Sequence, residues 1–185
     1  MRDLIVTENI TLDGVIDASA GWFTPTGTED PDGIAELTEF QTAQRASADG
    51  VLLGRVTYEQ FAGYWPAQTD DETGVSEYLN TTEKYVVSAT LTDPSWQHTT
   101  VLAGEPLAAI RALKDTDGGD IVATGSIQLV QALVGSGLVD EYRLFVFPVV
   151  LGAGARLFTA EVPGLRLVET HPFRTGIVHL RYRTD

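Results

Sequence analysis

The chain has 185 residues, 43% of them hydrophobic, which suits one domain with a sizeable buried core. It has no cysteine, which excludes disulfides, thiolate metal sites and Cys nucleophiles, and its three histidines, His98, His171 and His179, lack the spacing that sets two imidazoles on one metal. Acidic residues outnumber basic ones 26 to 12, and the field of the resulting −14 charge opposes a nucleic-acid partner while leaving room for an anionic cofactor held by a few well-placed cations.

Residues 4–12 place Leu4, Val6, Ile10 and Leu12 on one side of an alternating pattern, interrupted by Glu8, that stops at Asp13-Gly14. This pattern predicts a strand entering a turn. The apolar run before Thr7 and Glu8 is too short for a signal peptide and no run approaches membrane-spanning length, so a cytoplasmic protein with no membrane partner is expected. Gly21 to Gly33 is crowded with Thr, Pro, Gly and Asp around Trp22 and Phe23, a composition for a loop suited to an active site. Asp30-Pro31 offers a cap and a first-turn proline to a helix carrying Ile34, Leu37 and Phe40 and ending near Asp49-Gly50.

Val51-Leu52-Leu53 ends at Gly54 and leads into a helical stretch through Phe61, as a buried strand feeding a helix. Tyr85-Val86-Val87 repeats the strand signal. Glu105-Pro106 starts a helix with Leu107, Ile110 and Leu113 on one face, closed by Gly118-Gly119. Ile121-Val122-Ala123 is again a strand, and Gly125-Ser126 opens a helix with Ile127, Val130, Leu133 and Val134 inward. This alternation predicts an α/β fold with a mainly parallel sheet covered on both faces. Tyr142 to Val150, Leu165 to Glu169 and Ile177 to Tyr182 are strand-like with no long helix between them, and are expected to finish the sheet antiparallel. A homodimer is also expected, because Tyr142–Phe147 would leave a hydrophobic edge or face to cover, unless another local segment covers it. No repeat or composition break marks a second domain.

The sharpest local signal is Gly54-Arg55-Val56-Thr57-Tyr58-Glu59 directly after a strand. A helix start presents free N–H groups, glycine allows close approach, arginine can take a phosphate bidentately and Thr57 can donate to one of its oxygens. The same six residues also suit a helix with a solvent-facing arginine. Ala123-Thr124-Gly125-Ser126-Ile127 repeats the logic, and two such junctions would give the two anion cradles a dinucleotide requires, although each is compatible with an ordinary turn. Gly152 and Gly154 form a GxG without the third glycine of a Rossmann fingerprint, and serve either close approach to a ligand or a sharp turn. Asp13 with Gly14 fits an Asx turn. A proton donor is sought among Asp13, Asp30, Asp32, Glu36 and Glu39, with Asp13 and Glu36 as the catalytic candidates. Trp22, Phe23, Tyr64 and Trp65 are available to wall an aromatic substrate, or to fill core.

In order, Thr11-Leu12-Asp13-Gly14, Gly54-Arg55-Val56-Thr57-Tyr58-Glu59, Lys84-Tyr85-Val86-Val87-Ser88, Thr124-Gly125-Ser126 and Pro148-Val149-Val150-Leu151-Gly152-Ala153-Gly154 resemble the dihydrofolate reductase superfamily across essentially the whole chain. The chain is most similar to the branch containing the C-terminal reductase domain of the riboflavin-biosynthesis deaminase/reductase. The resemblance implies a three-layer α/β/α fold with NADPH across the carboxyl ends of the strands. By position it implies that Gly54, Arg55 and Thr57 hold phosphate, Arg55 favouring the 2′-phosphate of NADPH, with Ser88 near the adenosine ribose phosphate. Thr124, Gly125, Ser126, Ile127 and Gln128 would meet the pyrophosphate. Leu12 and Gly14, with Gly152 and Gly154, would border the nicotinamide and substrate. Trp22 and Glu36 or Glu39 match the tryptophan and helix carboxylate of true dihydrofolate reductases only loosely, which argues against folate, and these 185 residues lack the cysteines that the zinc deaminase domain of the riboflavin enzyme would need. The implied function is NADPH-dependent hydride transfer to a small heterocycle, a pterin or a ribosylamino-pyrimidine. The alternative is a non-catalytic NADPH-binding or sensing protein. No GxSxG or HExxH supports a hydrolase.

Overall fold

The computed structural model describes residues 1–23, 30–162 and 164–185, so positions 24–29 of the expected 21–33 loop lie outside the described residues. Eight strands form one sheet: β1 (Leu4–Thr11), β2 (Ala48–Gly54), β3 (Glu83–Val87), β4 (Thr99–Leu102), β5 (Asp120–Ala123), β6 (Glu141–Phe147), β7 (Leu165–Pro172) and β8 (Val178–Thr184). Their order is β4-β3-β2-β5-β1-β6-β8-β7. Every pair from β4 to β6 is parallel, and β8 runs antiparallel to both β6 and β7. The α/β class, the parallel body and the antiparallel finish are those expected from the sequence.

The helices are α1 (Pro31–Arg45), α2 (Arg55–Ala62), α3 (Val75–Thr81), α4 (Pro106–Lys114) and α5 (Ile127–Leu133). Asp30 caps α1 by accepting from Gly33 N–H, and Glu105 caps α4 by accepting from Ala108 N–H, each ahead of a first-position proline. Period-two alternation splits the sheet residues between two helical layers. Leu4, Val6, Ile10 and Leu52 pack with Ile110 and Leu113 of α4 and Leu129, Val130 and Leu133 of α5. On the other face Phe145 and Phe147 meet Leu37 and Phe40 of α1, while Val51, Leu53 and Val86 meet Tyr58 and Leu79. Each such buried side chain contributes about 1.5–3 kcal/mol relative to exposure.

Two element ends and the placement of one strand differ from expectation. Helix α1 stops at Arg45, because Ala48 and Gly50 are already paired with Asp120 on β5 and Glu83 on β3, and ladder hydrogen bonds override the weak helical pattern there. Strand β6 ends at Phe147, since Pro148 has no N–H to donate. The Tyr142–Phe147 run is an inner strand, paired with β1 on one side and β8 on the other, so it is core and not an open edge. The edges are β4 and β7.

Candidate functional site

At the carboxyl ends of β1, β2, β3 and β5 the two layers part around a cavity of about 1260 Å³. Pockets for single drug-sized ligands span roughly 300–1,000 Å³, so there is room for two molecules side by side. Parallel strands put all their βα turns at this end of the sheet, which is why residues far apart in sequence converge here.

The first turn is Gly54–Thr57. Gly54 precedes α2 in extended conformation, no side chain caps the helix, and its own N–H donates to Ser126 Oγ at 2.9 Å. A Cβ on Gly54 would stand 3.6 Å from Ser126, in ordinary contact, so the two turns lie side by side. Thr57 is buried, whereas Arg55 is exposed and its Nη1 donates to both carboxylate oxygens of Glu59 at 2.8 and 2.9 Å. An exposed i,i+4 pair of this kind is worth only about 0.3–0.5 kcal/mol, so Arg55 can exchange Glu59 for a phosphate at little cost.

The second turn is Thr124–Gln128. Gly125 sits in the left-handed region with φ +68°, and its N–H donates to Glu8 Oε1 at 2.7 Å. Ser126 makes no side-chain cap on α5, its hydroxyl oxygen being engaged by Gly54 N–H. Ser88, after β3, completes the wall, and its Oγ accepts from Thr90 N–H at 3.1 Å and Leu91 N–H at 2.9 Å. Gly54, Arg55, Thr57, Ser88, Thr124, Gly125, Ser126, Ile127 and Gln128 all line the one cavity, as do the aromatic candidates Trp22, Phe23 and Trp65. Tyr64 does not.

The remaining candidates lie elsewhere. Asp13 accepts from the Thr11 hydroxyl at 2.7 Å, from Gly152 N–H at 2.8 Å and from Leu151 N–H at 3.2 Å. Led by the Thr11 and Gly152 bonds, these contacts hold its pKa down to about 2. An ionised loop anchor of this kind is unsuited to giving a proton at neutral pH, and it does not line the cavity. Leu12, Gly14, Gly152 and Gly154 belong to the same turn-to-loop junction, also outside the cavity lining. Leu12 N–H donates to Val149 O, and a Cβ on Gly154 (φ +124°) would stand 2.6 Å from Val15 Cγ1, so that glycine serves close packing. Glu36 points from α1 toward β7, where its Oε1 lies 3.3 Å from His171 Nε2, away from the cavity.

The structure adds Glu8, Arg45 and Tyr78 to the lining. The Arg45 guanidinium donates to Thr42 Oγ1 and Thr73 O, both at 2.9 Å, and burial lowers its pKa. The Tyr78 hydroxyl is buried and has no hydrogen-bond partner among the described residues. Glu8 was legible only as the charged residue that breaks the alternation of β1.

The family model for the RibD C-terminal domain matches residues 2–179 of the chain. Two Bacillus subtilis proteins, both described as uncharacterised, are similar over nearly their full length. YyaP is 31% identical, with 98% of this chain and 94% of YyaP covered. YwjB is 30% identical, with 95% of each covered. Among solved structures, a putative riboflavin biosynthesis protein from Shewanella sp. PV-4 superposes with a TM-score of 0.68 at 20% identity, covering 99% of both chains. A pyrimidine reductase-like protein from Corynebacterium diphtheriae gives 0.66 at 16% identity, covering all of this chain and 92% of the other. Both share the fold.

Proposed function

We propose that this chain, which belongs to the RibD C-terminal domain family, is an NADPH-dependent oxidoreductase that passes hydride to a small heterocyclic substrate of the pterin or ribosylamino-pyrimidine type. The carrying observation is the convergence on one cavity of two glycine-led turns, each opening a helix that lacks a side-chain cap, beside the exposed guanidinium of Arg55. Uncapped first-turn N–H groups favour anions, and two adjacent cradles match a pyrophosphate and a ribose phosphate. In this reading Arg55, Thr57 and Ser88 hold the adenosine-side phosphates, and Gly125 to Gln128 take the pyrophosphate. NADPH would supply the hydride; the protein orients it and excludes water. Trp22, Phe23 and Trp65 wall the space left for a flat substrate.

The test is ligand-induced thermal shift with NADPH and NADH on the wild type and Arg55→Ala. Loss of a charge-assisted pair is worth about 1.5–3 kcal/mol, so NADPH affinity is expected to fall roughly 10–100-fold in the variant while the weaker NADH binding changes little. Absence of binding by either nucleotide would overturn the assignment. Tight binding with no NADPH oxidation across pterin, pyrimidine and flavin acceptors would select a non-catalytic binding protein instead.

We place the protein in the cytoplasm and propose that it works as a homodimer. Among the described residues no helix is long and apolar enough to cross a membrane. Edge strand β7 exposes Leu167 and Val168, the kind of open edge that pairs with a second copy. Light scattering on the purified chain is expected to give twice the monomer mass, and a monomer mass would remove the dimer.

A further inference from the structure

Two glutamates of the described chain are buried, Glu8 and Glu141, and their surroundings are opposite. Glu141 faces Arg143, Arg181 and Arg183. Glu8 has no cation within ion-pair distance among the described residues, and its side chain makes a single hydrogen bond among them, Oε1 accepting from Gly125 N–H at 2.7 Å. A carboxyl kept from water with one neutral donor favours its uncharged acid form. Burial pushes the Glu8 pKa up to about 8 against the opposing pull of the Gly125 bond.

Glu8 sits on β1, beside the Gly125 cradle at the end of the neighbouring β5, and lines the cavity that both cradles share. The other charged groups there are Asp17, the residue before the short helical turn at Ala18–Ala20, Arg45 on α1 and Arg55 on α2; β5 and α5 contribute Val122, Thr124 and Gln128, none charged. On the neighbouring β6, Leu144 is level with Glu8, while Arg143 is level with Thr7 and so projects from the opposite face toward Glu141. None of these cations compensates Glu8. An uncharged Glu8 also avoids setting a negative charge against the Gly125 turn, where the pyrophosphate would lie.

We propose that Glu8 is the acid that protonates the substrate, an assignment that rests on the reductase reading and adds the proton donor to it. The Glu8 O–H bond breaks and its proton joins the nitrogen or oxygen of a C=N or C=O bond. NADPH, when bound, would supply the hydride and its electron pair to the carbon of that bond, so that the substrate's reduction would be balanced by oxidation of the nicotinamide. Glu8 is left as a carboxylate and regains its proton from water.

Glu8→Gln keeps an oxygen that accepts from Gly125 N–H and removes the titrating proton. Infrared difference titration of the wild-type chain is expected to show a neutral carboxyl band that disappears near pH 8 and is missing in Glu8→Gln. With 7,8-dihydropterin as the acceptor, NADPH oxidation by the wild type is expected to decline over the same range. In Glu8→Gln it is expected to be about 10²–10⁴-fold slower and without that pH dependence, while NADPH stabilises both proteins below about pH 8, where Glu8 is uncharged. A Glu8 carboxyl already ionised at neutral pH overturns the proposal, as does a variant that keeps the wild-type rate and pH profile. If dihydropterin is inert, the infrared titration decides by itself. NADPH stabilising neither protein sinks the reductase reading, whereas an ionised Glu8 in a protein that NADPH does stabilise sinks the proton donor alone.

Discussion

Glu141→Gln is expected to destabilise the fold by about 3–5 kcal/mol, the cost of removing one partner from a buried ionic cluster. Glu141, the first residue of β6, is 1% exposed; its Oε1 accepts from Arg143 Nε at 2.6 Å, and its Oε2 lies 2.9 Å from Arg181 Nε and 3.6 Å from Arg183 Nη1. Arg143 is itself buried, and its Nη1 donates to Gln44 O at the end of α1, so the cluster fastens a helix to the junction of β6 and β8. Glutamine keeps the volume and removes the charge, leaving Arg143 buried without an anion. At roughly 2–4 °C per kcal/mol for a domain of this size, the Tm should fall on the order of 10 °C, readable by calorimetry and urea unfolding. Glu59→Gln, which breaks the exposed Arg55 pair, is the control and should cost no more than about 0.5 kcal/mol. A loss below about 1 kcal/mol for Glu141→Gln would mean that the arginines find other partners or water, and that the cluster is not a fastening.

The parts of this fold that were legible in the sequence are those whose signals are local. Glu105-Pro106 starts α4 as expected because an N-cap acts within one turn, whereas the helix ends at Lys114 with Asp115 as its C-cap, ahead of the glycines at 118 and 119 expected to close it. Val51–Leu53 and Ile121–Ala123 read as strands because both of their faces are covered. Strand β4 was not legible: Thr99-Thr100-Val101-Leu102 is a short, half-exposed edge whose pairing with Lys84–Val87 is decided by the partner and not by its own composition. Helix α3 was missed for a related reason. It has seven residues, follows Gly74 without a side-chain cap, and its C-terminal carbonyls are satisfied from outside, by Lys84 Nζ donating to Leu79 O at 2.7 Å.

The candidate site divides along the same line. Gly54-Arg55 and Gly125-Ser126 could be found because a glycine between strand and helix has a local meaning. That Ser126 would accept from Gly54 N–H across 72 residues could not. Asp13 attracted a catalytic role because an Asp-Gly turn looks unpartnered in sequence. Its partners, Leu151 and Gly152, are 138 and 139 residues away and turn it into an anchor. Glu8 is the converse case. A carboxylate at an inward position of an apolar strand is costly unless it is paired or protonated, and only the structure shows that no cation among the described residues comes to meet it.

That cost makes Glu8 visible in stability as well as in chemistry. The unfolded carboxyl gives up its proton near 4.5, while the folded one keeps it to about 8. Between those values the folded chain binds more protons than the unfolded one, so its advantage shrinks as pH rises through the window and levels off above it. Each unit of separation is worth about 1.4 kcal/mol, which puts the loss on the order of 5 kcal/mol between weakly acidic and alkaline solution. Glu8→Gln has no proton to lose and should lack this slope, so the wild type should lose stability relative to the variant between about pH 4.5 and 8, whatever their order in acid. Urea unfolding of both proteins across that range reads the difference directly, and the subtraction removes His98, His171 and every other group common to the two. Parallel stability curves would show that Glu8 is solvated and ionised in the folded chain, because a carboxyl buried without a cation cannot be deprotonated free of cost.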